Sequence, residues 1–545
     1  MNLLKKSALI ILFISVFLIA LPSNCFSLQA SATGTKNVIL LIMDGTNSDV
    51  VTLSRWYKGS SLNLDSIVVG GVRTYSAQSA ITDSAAAGTA MATGHKTLAD
   101  YIGMVPVSGR KSTRPVLTVL EAAHLHGYST GLVSTSPIQH ATPAAFSSHV
   151  NDRDDFSDIG EQQVYQNLDV ALGGGKAWLH PKAEDNVKND DGMLKTREVS
   201  RTDGENLLKE VKTNGYTLLE TREELLKKDV RNNKVWGLFA NEDISYEFDR
   251  ETLHPDQPSL AEMTKKAIES LSSSENGFFL MVEGSKIDWA AHKNDPIGMI
   301  SEVLSFDDAV GEALDFAKKD KNTMIIAVTD HGNSGLTIGN GSTNKDYFNQ
   351  PAGNFIKPLK KAELTVKGAT SQLKKDRSNF KKVLALYGLD DLSKAEYCKI
   401  KEADDLETIE DSMVKMMAKR AHLGFTTHGH SGEDIFLYAY GPGKPTGLIE
   451  NTHIPLIISE YLGIPLHSKR YDEWYINAMT YFKKKGYKVK IDKQDKDNPI
   501  FTAIKGSEKL QFPENKNYYL RNGNKVLLES VNVYSGDGFY VHVDF

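Results

Sequence analysis

The chain has 545 residues, 40% of them hydrophobic and 24% charged, with a formal net charge of −6. That balance is ordinary for a folded globular protein with room for a large core. No long basic run occurs beyond the first few residues, which speaks against a nucleic-acid-binding module.

The N-terminus has its own logic. "MNLLKK" is basic, "SALIILFISVFLIAL" is apolar, and small polar residues follow to "ASATG". This is the layout of a secretory signal over residues 1–32, with Ala30-Ser31-Ala32 as a small-x-small cleavage site and a mature chain from about Thr33. The apolar run, residues 7–21, is short for a membrane span of ~20 residues; an uncleaved membrane anchor is the alternative. Pro22-Ser23-Asn24 makes a poor lipobox before Cys25. Cleavage removes Lys5 and Lys6 and no acid, so the mature charge is −8. It also removes one of two cysteines, leaving Cys398 and no intramolecular disulfide. Stability of an exported chain then rests on its core and on bound metals.

Further along, apolar runs read as buried strands: "NVILLIMDG" (37–45), "STGLVSTS" (129–136), "GFFLMVEG" (277–284), "TMIIAVTDHG" (323–332) and "DIFLYAYG" (434–441). Helical patterns lie between them, including 114–127 and 259–273. The second of these opens with Pro258-Ser259 and a Glu at 262, a capping box. Strands alternating with helices predict an α/β fold with a mainly parallel sheet covered on both faces. Residues 176–250 are charged and interrupted, and read as a peripheral insertion. Residues 341–421 are lysine-rich with few strand signals, a second insertion. From about 471 to 545 alternating strands predict a small β-containing C-terminal addition outside the main sheet.

Three predicted strands end in acids: Asp44, Glu283 and Asp330. Open α/β sheets bind ligands at the carboxyl ends of their strands, so three carboxylates at one edge suggest a cation site. In "VEGSKIDWAAH", Asp288 and His292 stand four residues apart and share a helix face. In "TDHGNSG", Asp330 and His331 are adjacent where a strand turns. In "GFTTHGHSGED", either His428 or His430 could complete the set. Carboxylate and imidazole are good zinc ligands, and about this many are needed for two zinc ions with open positions. Metals ~3.5–4 Å apart suit in-line phosphoryl transfer. In "AITDSAAAGTAMATGH", Ser84 stands at a helix start, as a cap or as a nucleophile where the helix favours an anion.

Taken together, "NVILLIMDG", "ITDSAAAGTAMATGHK", "HATPAAFSSHVNDR", "ALGGG", "VEGSKIDWAAHKND", "TDHGNSG" and "GHSGED" resemble the alkaline phosphatase family, in its bacterial secreted type, over roughly residues 36–465. The resemblance implies a three-layer α/β/α sandwich over a catalytic domain of residues 33–470. It implies Ser84 as the nucleophile that becomes phosphoserine and Arg153 as the phosphate-gripping arginine, whose planar fork suits two phosphate oxygens. It assigns Asp44, Asp330 and His331 to one zinc and Asp288, His292 and His430 to the other. His430 is preferred to His428 because it directly precedes Ser-Gly-Glu-Asp. Asp44, Thr142 and Glu283 match a third site, usually magnesium, and all are oxygen donors, as that hard ion requires.

The implied activity is hydrolysis of small phosphate monoesters with two Zn2+ and one Mg2+, in a secreted, periplasmic or cell-surface protein. Many relatives are homodimers. A phosphodiesterase of the same superfamily is the alternative, and Glu283 and Thr142 argue against it. Three departures from the best-known bacterial pattern stand out: His140 where many members carry an aspartate, Trp289 where some carry a lysine, and "DGTNSD" in place of a glycine-methionine-glycine turn. His140 is expected near the third ion as an outer group and not as a ligand.

Overall fold

The computed structural model describes residues 35–107, 112–181, 201 and 203–542. The signal segment, Cys25 and the "KNDDG" turn lie outside the described residues. Among the described residues no helix is long and apolar enough to cross a membrane.

A ten-stranded sheet organises the chain. Its strands are β1 (Asn37–Met43), β2 (Val68–Arg73), β3 (Ser129–Pro137), β4 (Val170–Gly174) and β5 (Thr217–Leu219). They continue with β6 (Val235–Leu238), β7 (Phe278–Gly284), β8 (Thr323–Val328), β9 (Ile435–Tyr440) and β10 (Gly447–Glu450). The spatial order is β10-β2-β9-β8-β1-β7-β3-β4-β6-β5. Only β9 runs against the others.

Alternation within β1 explains the layers. Ile39, Leu41 and Met43 enter one apolar core, and Val38, Leu40 and Ile42 enter a second on the opposite face. A strand buried on both sides reads as continuous hydrophobicity, which is how "NVILLIM" reads. The helix Pro296–Asp320 packs in the first core and the helix Val119–Leu125 in the second. The predicted three-layer α/β/α architecture is therefore observed.

Two elements differ from expectation in their bounds. The helix expected over 114–127 begins at Val119, because Thr113–Pro115 pairs with Met104–Pro106 and a Thr118–Glu121 capping box fixes the true start. The helix of 259–273 runs Leu260–Leu271 behind its Ser259–Glu262 box. The charged segment 176–250 contributes β5 and β6, which extend the sheet at its far edge. Residues 341–421 form helices such as Leu406–Arg420, whose Ile409, Met413 and Met417 join the first core.

Beyond residue 470 a five-stranded antiparallel sheet runs from Lys488–Asp492 to Asn524–Leu527. A three-stranded sheet joins Ile476–Asn477 to Val533–Tyr534 and Phe539–Val541. Phe482, Phe501, Leu510, Phe512 and Phe539 form a core of their own. Trp474, Tyr475, Val531, Val533 and Tyr540 belong instead to the second core of the main sheet.

Candidate active site

β8, β1 and β7 are neighbours, with Ile42 opposite both Val328 and Glu283. Their carboxyl ends bring Asp44, Glu283 and Asp330 to one buried edge, as the strand-end acids suggested. Gly45 turns the chain there with φ +63°, and a Cβ on it would fall 2.3 Å from Asp288 Oδ1. The turn therefore requires glycine twice over, for its backbone and for the close seat it gives Asp288.

Asp288 and His292 lie on the short helix Lys286–His292, one turn apart. Asp288 Oδ2 is 3.3 Å from His292 Nε2, and Oδ1 is 3.7 Å from His430 Nε2. His430 reaches the edge because β9 is antiparallel, so the residues before it arrive where the other strands end. His428 does not join the cluster. Its ring contacts the His292 carbonyl and the Asn294 amide, while its own carbonyl meets His292 Nδ1 at 2.7 Å.

The three clustered imidazoles share one device. Nδ1 of His292, His331 and His430 faces the backbone carbonyl of His428, Gly332 and Thr82 respectively. Donation there leaves each Nε2 lone pair directed into the site, the arrangement that outer partners give metal-ligating histidines. Asp330 is oriented similarly: its Oδ1 accepts the backbone N–H groups of Gly45 and His331, both at 3.0 Å. Its Oδ2 is then 3.2 Å from His331 Nε2, and Asp44 Oδ1 is 3.5 Å from the same nitrogen.

Ser84 opens the helix Ser84–Thr93, whose N-cap is Asp83, accepting from Ala86 N–H at 3.2 Å. The serine is thus relieved of capping, and its Oγ lies 3.1 Å from His331 Nε2. The whole helix is buried, and a Cβ on Gly88 would meet Ala145 Cβ at 3.0 Å. This is the close packing that its small residues permit. Arg153 reaches Asp83 and the His140 ring, each at 3.4 Å, which puts the guanidinium beside the start of this helix.

Electrostatics mark the edge as built for cations. Both oxygens of Asp44, Thr142 Oγ1 and Glu283 Oε1 are buried without a hydrogen-bond partner. Burial, reinforced by Asp330, Asp288 and Glu283, pushes the Asp44 carboxyl well above its usual range. Burial lifts Glu283 to about 7. Asp288 goes the other way: burial would raise it, but the His292 hydrogen bond and the surrounding imidazoles hold it low. A nest of buried carboxylates without counter-charge costs several kcal/mol per group, which a divalent ion removes.

Of the four groups among the described residues whose ligand atoms are close enough to share an ion, three lie at this edge: Asp288, His292 and His430; Asp44, Asp288 and His331; and Asp44, His140 and Glu283. The first matches the expected set. The second has Asp288 in place of the expected Asp330, which belongs to none of the three. The third includes His140, expected to stand outside. Burial, then Arg153, pushes His140 down to about 3, so its ring is neutral and able to donate a lone pair. Sequence reasoning passed over Asn333 within "TDHGNSG", whose side-chain amide donates to Asp288 Oδ1 at 2.6 Å. Its only signal was an asparagine in a glycine-flanked turn, which also describes an ordinary loop.

Residues 35–464 match the family model of alkaline phosphatase. Alkaline phosphatase 3 of Bacillus subtilis is 38% identical over 443 residues, covering 77% of this chain and 87% of that protein. Among solved structures, the cold-active alkaline phosphatase of a Shewanella species superposes with a TM-score of 0.67 at 27% identity, covering 78% of this chain and 99% of the other. A His-to-Asp variant of the alkaline phosphatase from the Antarctic bacterium TAB5, solved with Mg bound in its M3 site, gives 0.56 at 28%, covering 79% and 99%. The chain is an enzyme that hydrolyses phosphate monoesters with the help of metal ions, and nothing favours a diesterase. It belongs to the alkaline phosphatase family.

Proposed function

We propose that Ser84 is the nucleophile of a two-step phosphomonoester hydrolysis that passes through a phosphoserine. The observation that carries this reading is the Ser84 Oγ contact with His331 Nε2 among buried, unpartnered carboxylate oxygens. Asp288, His292 and His430 would hold one Zn2+, and Asp44, Asp330 and His331 a second. Asp44, Thr142 and Glu283, with His140 beside them, would hold Mg2+; three oxygen donors support a hard ion in that place. When bound, these ions would supply Lewis-acid charge that lowers the serine pKa and neutralises leaving-group charge.

The chain's own residues do the rest. Asp83 caps its helix, so the Ser84 hydroxyl is not engaged as a cap, and the helix N-terminus stands ready for an anion. Arg153, tethered by Asp83, offers its planar fork to two phosphate oxygens. The Nδ1–carbonyl bonds hold the three imidazoles in one tautomer through both steps. Small phosphate monoesters are the substrate class. Residues 1–32 act as a secretory signal that delivers the protein outside the cytoplasm, and residues 33–470 and 471–545 are a catalytic domain and a β-rich addition. Family membership supports a homodimer, which light scattering tests.

Ser84→Ala is expected to keep the fold and the full zinc content, measured by mass spectrometry, while losing nearly all turnover of a nitrophenyl monoester. Wild-type turnover from that variant would remove Ser84 from the mechanism.

A further inference from the structure

The turn "DGTNSD" departs from the pattern expected after Asp44, and the structure gives its asparagine an unusual occupation. Asn47 is the N-cap residue of the helix Ser48–Lys58 and is 5% exposed, yet its side chain makes no cap hydrogen bond. Asparagine is among the best capping residues, so an Asn that faces away from its own helix is engaged elsewhere. Its amide nitrogen donates to a Glu433 carboxylate oxygen and, at 3.3 Å, to Ser431 Oγ. Its amide oxygen accepts from the backbone N–H of Asn333 at 3.2 Å.

Each partner sits on a segment that carries a site residue. Asn333 follows Asp330 and His331, and its side-chain amide donates to Asp288 Oδ1 at 2.6 Å and to the Asp288 carbonyl at 3.3 Å. Ser431 and Glu433 follow His430. The two segments also pair directly, Gly332 with Ser431 and Asn333 with His430. A Cβ on Gly332 would fall 2.2 Å from Glu433 Oε1, so glycine there leaves room for the carboxylate that receives Asn47. Asn333 is fully buried, so its amide has no competing water. One side chain thereby ties the loops after Asp44, His331 and His430 together, and through Asn333 it sets where the Asp288 carboxylate points.

We propose that Asn47 is a positioning residue for the cation held by Asp288, His292 and His430. It acts through Asn333 and Glu433 and touches neither the cation nor the substrate. The inference rests on the ligand assignment for Asp288 given above. Outer partners of metal ligands typically change metal retention by about 10–100-fold when removed.

The test uses zinc-loaded full-length enzyme and follows zinc release into a colorimetric chelator, beside the melting temperature and the split of kcat from KM. Asn47→Ala is expected to release one zinc equivalent about 10–100-fold faster than wild type. Asn47→Asp can cap its helix but faces Glu433 with like charge; it is expected to release zinc faster while the metal-free protein melts near the wild-type temperature. Glu433→Gln keeps a carbonyl acceptor for the Asn47 amide and should hold zinc within about threefold of wild type, well short of an outer-partner loss. Leu53→Ala, which weakens the packing of the same helix, should lower the melting temperature without speeding release. Wild-type release from both Asn47 variants overturns the proposal, as does release that merely tracks melting temperature across the set. Asp288→Ala separates the two levels. If that variant keeps its full zinc, the ligand assignment itself fails. If it loses one equivalent while the Asn47 variants do not, only the role of Asn47 fails.

Discussion

At the residue scale, the histidines show how backbone chemistry selects function among identical side chains. His428 and His430 are two apart, but only His430 directs Nε2 into the cluster, with its Nδ1 2.8 Å from the Thr82 carbonyl. His430→Ala is expected to lose one zinc equivalent and at least about a hundredfold in turnover, as removal of a ligand should exceed the loss of an outer partner. His428→Ala keeps the backbone carbonyl that faces His292 and should retain both zinc ions with only a few-fold loss. Metal content by mass spectrometry beside monoester turnover checks both. Sequence singles out His430 of the two only through the neighbouring Ser-Gly-Glu-Asp. What decides it physically is the antiparallel course of β9, a tertiary fact.

At the element scale, much was legible because burial on both faces writes itself into composition. β1, β7 and β8 are continuous apolar runs with an acid at or just past the end, and these three strands set the site. The helix start at Val119 was less legible, since Val116 and Leu117 carry the apolar pattern upstream to the small strand pair at Thr113–Pro115. β5 and β6 were missed for the opposite reason: they are three and four residues long inside a charged segment, and such brevity blurs the signal even though β6 is buried throughout.

The long helix Pro296–Asp320 carries a titration that no sequence pattern displays. Glu302 is buried in it, accepts the backbone N–H of Glu247 at 2.7 Å, and sits near Lys286 and Glu247. Burial pushes its carboxyl up to about 7. Between its ordinary value and about 7, the folded protein holds a proton that the unfolded chain has released, so this group's contribution to stability falls as pH rises through that window. Glu302→Gln keeps an acceptor and carries no charge. Its melting temperature is expected to exceed wild type at pH 8 and to match it near pH 4.5. Thermal melts of metal-saturated protein at the two pH values check this, and a variant less stable than wild type at pH 8 would contradict it.

For the molecule as a whole, the C-terminal addition is less separable than its change of composition suggests. Tyr475 OH donates to the buried Glu121 at 2.7 Å, and Lys516 bonds Glu161 and, at 2.7 Å, Glu205. Trp474, Val531 and Tyr540 fill the second core of the main sheet. Cutting the chain after residue 470 would expose that core and leave Glu161, among the described residues, with Arg201 as its remaining cationic partner. Losing a partner from a buried pair costs about 3–5 kcal/mol by itself. The truncated protein is therefore expected to melt well below the full chain or to aggregate, as read by calorimetry; equal stability would show the addition to be a free module.

The reversed direction of β9 also has a consequence in time. Synthesis runs from the N-terminus, and domains take shape as they emerge. A nascent chain ending near residue 420 already has the parallel strands that gather Asp44, Glu283, Asp288, His292, Asp330 and His331, but it still lacks its final imidazole. The pocket therefore closes late, after roughly four-fifths of the polypeptide has been made. Until then Asp288 and His292 would lack the third member of their proposed zinc set.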